Sequence, residues 1–72
     1  MKEVIVEYVN AHGTPLTFHT GYFEQGGTGY DTTRDPDFIY VWSPHATNLF
    51  ARSRVNNLTA IEETEILTPK VK

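Results

Sequence analysis

Apolar and polar residues alternate with a period of two through much of the chain, and no stretch holds the 3.6-residue period of an amphipathic helix. Residues 3–9, EVIVEYV, set Val4, Val6 and Tyr8 on one face and Glu3, Ile5, Glu7 and Val9 on the other. The first set is the cleaner core face. Asn10 to Pro15 is turn chemistry, because Pro15 cannot donate to a central ladder. Residues 16–24, LTFHTGYFE, predict a second strand with Leu16, Phe18, Thr20 and Tyr22 on one face. Gly21 in its middle marks a bulge or a sharp bend.

Residues 25–37, QGGTGYDTTRDPD, read as one long loop whose only large apolar side chain is Tyr30. Loops of this length tend to be functional or mobile. Residues 38–43, FIYVWS, form the strongest strand. Residues 44–47 connect it to a returning strand, NLFARSR, at 48–54. Asn56-Asn57 predicts the next turn. Residues 58–67 read as a strand, favoured by Thr and Ile; a short helix capped by Asn57 is the alternative. Five short strands predict an all-β fold: a small five-stranded antiparallel barrel or bent meander, with the glycine-rich loop between strands 2 and 3. In size and strand count it resembles SH3-like and Sm-like barrels, a likeness of architecture that carries no function. One domain spans residues 1–72, with an ordered body at about 3–67 and a basic C-terminal tail that frays.

The hairpin at 38–54 sets which side chains face out. A four-residue loop pairs Ser43 with Asn48, groups Tyr40 and Trp42 with Leu49 and Ala51, and groups Ile39 and Val41 with Phe50 and Arg52. Unpaired arginines are rarely buried. A strand running to Arg54 would therefore turn Phe50, Arg52 and Arg54 outward and carry Ile39 and Val41 with them. On this reading Ile39 and Val41 form an oligomer interface. A loop one residue shorter or longer would instead put Phe38, Tyr40 and Trp42 outside. Either way, large apolar residues of this strand reach the surface, and such a patch marks a binding face.

Length and charge narrow the function classes. At 72 residues the chain hides only about 60% of the surface its unfolded form exposes, so its own core is small. Cysteine is absent, which excludes disulfides and thiolate metal sites. The net charge is −3, and all nine acids fall within residues 3–69, where only Arg34, Arg52 and Arg54 are basic. Such a body repels a phosphate backbone, so double-stranded DNA is not an expected partner. No apolar run approaches the roughly 20 residues that span a bilayer, and the opening residues lead us to expect no signal peptide. A cytoplasmic protein without membrane association is the expectation.

Arg52 and Arg54, two apart on a strand, project to one side, where Phe50 adds an aromatic plane. Guanidinium forks fit carboxylates and phosphates, and aromatics stack on bases. With Tyr30 from the loop, these residues form the candidate ligand- or partner-binding site; cross-strand pairing with Glu62, Glu63 or Glu65 is the structural alternative. Asp31, Asp35 and Asp37 lack the spacing of a calcium loop. His12, His19 and His45 are scattered, so no metal or other cofactor is expected. Ser43 and Ser53 lack a nucleophile setting. The sequence thus predicts a non-enzymatic binding protein that occupies a protein partner, as accessory and inhibitor proteins of phages and mobile elements do, and that self-associates. The alternative is a binder of a small anionic ligand such as a nucleotide, or of single-stranded RNA, at a site completed in an oligomer.

Overall fold

The computed structural model describes residues 1–62; the expected last part of the final strand (63–67) and the basic tail lie outside the described residues. The described residues are all-β, with six strands: β1 (Lys2–Val9), β2 (Pro15–His19), β3 (Gly29–Asp31), β4 (Phe38–Trp42), β5 (Thr47–Ala51) and β6 (Val55–Glu62). They form two antiparallel three-stranded sheets, ordered β2-β1-β6 and β3-β4-β5. Among the described residues no closed barrel forms, which corrects the expected five-stranded barrel. A single turn of 3-10 helix, Arg52–Arg54, carries the chain from one sheet to the other. Among the described residues no helix is long and apolar enough to cross a membrane.

The first sheet follows the two-residue alternation of β1. Val4 and Val6 are fully buried, and their cross-strand neighbours on β6 are Ala60 and Leu58. On the other side, Phe18 of β2 pairs with Val6. Past His19 the chain continues beside β1 through an irregularity. Thr20 N–H donates to Val4 O (3.1 Å), whereas Phe23 exchanges both backbone bonds with Lys2. One extra residue fits in between, and Gly21 takes it up with φ +85°, a conformation side-chain-bearing residues rarely adopt. The bulge expected at Gly21 is therefore present. The Asn56-Asn57 signal has a different outcome. Both residues lie inside β6, and the register shift between Glu7 and Tyr8 leaves Asn56 as the extra residue of a second bulge.

The second sheet holds two departures. Part of the long loop is a strand, because Gly29, Tyr30 and Asp31 pair with Trp42, Val41 and Tyr40. Three residues are too few to show alternation, and Gly29 has no side chain to signal a face. Its bareness is structural: a Cβ there would lie 2.8 Å from the Trp42 ring, which crosses directly over it. The second departure is the direction of β4. Its connection to β5 spans the four residues 43–46, and the register is two residues along from the expected one, with Val41 opposite Asn48 and Ile39 opposite Phe50. A shift of two preserves the faces, so Ile39, Val41 and Phe50 still share a side. That side, however, is the core. Val41 is 0% and Ile39 5% exposed, packed with Val4 and Val6 of the first sheet. Phe50 joins them, with ring centroids 5.0 Å from Tyr8 and 5.3 Å from Phe18. The inversion arises because β5 stops at Ala51. Arg52 and Arg54 leave the strand and no longer force Phe50 outward.

Two substitutions separate the faces. Ile39→Ala should cost about 2–5 kcal/mol as a buried large-to-small change, enough to unfold much of so small a domain. Phe38→Ala, on the opposite face and 42% exposed, should cost much less. Urea unfolding followed by circular dichroism checks both; equal losses would contradict the observed orientation of β4. Gly29→Ala should also destabilise, by about 1–3 kcal/mol through overpacking against Trp42, with a shift in tryptophan emission.

Candidate functional site

Two surfaces flank β5, and Arg52 separates them. Its backbone N–H makes the last ladder bond, to Asp37 O (2.9 Å). Its guanidinium then turns back over the loop: Nε donates to Pro36 O (3.0 Å), and Nη2 to Asp35 O (3.0 Å) and to Thr32 O. A guanidinium has donors in a fixed fork, and three loop carbonyls occupy them here. Two aspartate turns complete the loop. Asp31 Oδ1 accepts from the Thr33 N–H and hydroxyl, and Asp35 Oδ1 accepts from the Asp37 N–H, each at 2.8 Å. The Thr33 bonds, backbone before side chain, hold the Asp31 carboxyl below its ordinary value of 3.8; desolvation opposes them, and the nearby Arg34 charge adds to the lowering.

The outer face of the second sheet is built from β4 and β5. Trp42, Tyr40 and Phe38 alternate along β4, opposite Thr47, Leu49 and Ala51 on β5. Leu49 is 56% and Phe38 42% exposed, and the two aromatics beside them are half-buried. Arg34 lies over the Tyr40 ring, 4.7 Å from its centroid, and its Nε approaches Asp31 Oδ2 at 3.5 Å. This places a cation over an aromatic plane at the margin of an apolar strip, a favourable contact of about 0.5–1 kcal/mol at an exposed site.

The second surface is a groove of about 250 Å³ along the free edge of β5. Tyr8, Val9, Phe50, Leu49, Ala51 and Arg54 are among the residues that line it. Arg54 makes no hydrogen bond or ion pair to a described residue. A larger depression of about 520 Å³ lies beside Arg52, between Pro36, Phe38 and Ser53.

The four residues expected to form one site are thus divided. Arg52 is held by the loop. Phe50 is partly in the core and shows its remainder to the groove, where it meets Arg54. Tyr30 is on β3, two strands away from β5 and opposite Val41. Ile39 and Val41, expected at an oligomer interface, lie inside the chain's own core, which corrects their predicted orientation. Glu62, a candidate partner for the arginines, instead accepts from Gln25 Nε2 (2.9 Å); Glu63 and Glu65 lie outside the described residues. The aromatic–arginine pairing that does form uses Arg34 and Tyr40. Their meeting was not legible, because Arg34 sits in a loop without periodicity and reaches Tyr40 only through the Asp31 turn. No protein-family model, no curated protein and no solved structure matches this chain.

Arg52→Ala should destabilise the domain by about 1–2 kcal/mol, the lower end of what charged hydrogen bonds contribute because the site is open to water. Amide exchange across residues 32–37 should accelerate. Arg54→Ala should leave stability within about 0.5 kcal/mol. The two variants compared in one denaturation series test this, and equal effects would contradict the division of roles. The Asp31 carboxyl should titrate below 3.8 by NMR. A carboxyl with a lowered native value stabilises fully above its ordinary value and loses that contribution as pH falls through the native one. The 31–34 turn should therefore loosen in acid, and Asp31→Asn should remove this pH dependence.

Proposed function

We propose that this chain is a non-enzymatic binding protein that holds a protein partner on the outer face of the β3-β4-β5 sheet. The observation that carries the reading is the strip of Phe38, Tyr40, Trp42 and Leu49, left exposed or half-exposed on a domain whose described residues bury four core aliphatics. A chain that buries so little apolar surface gains nothing in its own fold from leaving these residues in water. Apolar surface gathered on one sheet face, with an arginine stacked at its margin, has the composition of an interface centre, where aromatics and arginine are enriched. The acidic body favours a partner with basic surroundings. Action by occupation, as in accessory or inhibitor proteins, accords with a domain this small and with strand-borne rather than pocket-borne side chains.

Affinity capture from cell lysate, followed by mass spectrometry, tests the reading. The tagged chain should retain a defined protein, and Phe38→Glu with Tyr40→Glu should lower that retention at least tenfold while the melting temperature moves by only a few degrees. Capture that is unchanged in the double variant, or no retained protein at all, ends the proposal for this face.

A further inference from the structure

Among the described residues, the edge of β5 away from β4 has no neighbouring strand. The ladder with β4 is closed at its two ends by Ser43 N–H to Ala46 O and Arg52 N–H to Asp37 O, both 2.9 Å. Antiparallel pairs alternate between bonded and non-bonded, so stepping by two makes Val41–Asn48 and Ile39–Phe50 the bonded pairs in between. The backbone groups of Asn48 and Phe50 therefore face β4, while those of Thr47, Leu49 and Ala51 point away from it. β5 is the last strand of its sheet. Its sequence, TNLFA, contains no charge, proline or glycine, the devices by which edge strands are usually blunted. Directly beside this edge runs the groove over Tyr8 and Phe50, with Arg54 and no acid in its lining.

We infer that the β5 edge takes up an extended peptide segment of the partner, with one apolar side chain in the groove and a carboxylate on Arg54. This rests on the reading of the chain as a protein binder and names the form the partner takes. A residue bonded to Leu49 directs its side chain to Leu49's own face, the exposed one, while the residues on either side of it point to the Phe50 side, over Tyr8. An added strand thus extends the outer face and fills the groove together. Arg54 supplies the charge complementarity, since it alone of the three arginines has no described partner: Arg52 binds loop carbonyls and Arg34 binds Asp31 and Tyr40. Val9, Asn10 and Ala11, at the end of β1 and in the turn after it, also line the groove.

The probe is a phage-displayed library of random decapeptides selected on the full chain. Enriched sequences should combine β-prone apolar residues with an acid or a free C-terminus; comparing amidated with free-acid synthetic versions tells which carboxylate is used. Methylation of alternate backbone nitrogens in an enriched peptide should abolish binding, as only strand pairing demands. Arg54→Ala should weaken it more than tenfold without changing the melting temperature. No enrichment, or binders indifferent to both changes, overturns the inference. Lysate capture that depends on Phe38 and Tyr40 but not on Arg54 would also overturn it while leaving the functional reading in place. A chain that sediments as a dimer and becomes monomeric with Leu49→Pro would show a second copy on this edge and overturn it as well.

Discussion

The chain leaves the second sheet at Ala51, and the side on which each residue of that sheet falls depends on how it leaves. Arg52 makes one more backbone bond to Asp37 and then folds its guanidinium onto the carbonyls of residues 32, 35 and 36. A charged fork that finds three acceptors at the end of a strand has no reason to remain on the strand's alternation. Once it departs, Phe50 is free to face inward, and it completes an aromatic cluster with Tyr8 and Phe18 over the Val4, Val6, Ile39 and Val41 core. The same event sends Phe38, Tyr40 and Trp42 to the solvent side.

This arrangement links stability and function through one loop. The 31–37 segment carries no large apolar side chain, yet two aspartate turns and the Arg52 bonds order it. It also positions Arg34 over Tyr40 at the margin of the exposed strip. Loss of the Arg52 anchor would therefore reach the outer face at two places, the Arg34 stack and the depression beside Phe38. Arg54, two residues farther along the same turn, has no such duty and lines a groove where its charge meets no described partner.

The two bulges serve the packing of a domain with little to bury. Gly21 lets the chain beyond β2 continue along Lys2, and Asn56 lets β6 follow β1 past Tyr8. Each increases local twist, which lets two short sheets share one small core without closing into a barrel. The free edges that result are a liability in a small β domain, and the uncharged β5 edge is the one that sits beside both an apolar face and a groove.

Period-two alternation by itself determined the all-β class, the inward face of β1 and the presence of the β4–β5 hairpin, and Gly21 marked the bulge. These are local properties: side chains alternate wherever a strand forms, and glycine marks where the backbone must deviate. The sequence left three matters to tertiary structure. β3 is too short for a pattern and exists because Gly29 lets the Trp42 ring lie across it. The division into two sheets depends on where the 3-10 turn falls, which Asn56-Asn57 did not signal. Above all, parity says which residues share a face but not which face is buried. That was decided by Arg52, whose acceptors lie 16 to 20 residues away, and a contact at that separation leaves no mark on the local pattern of the chain.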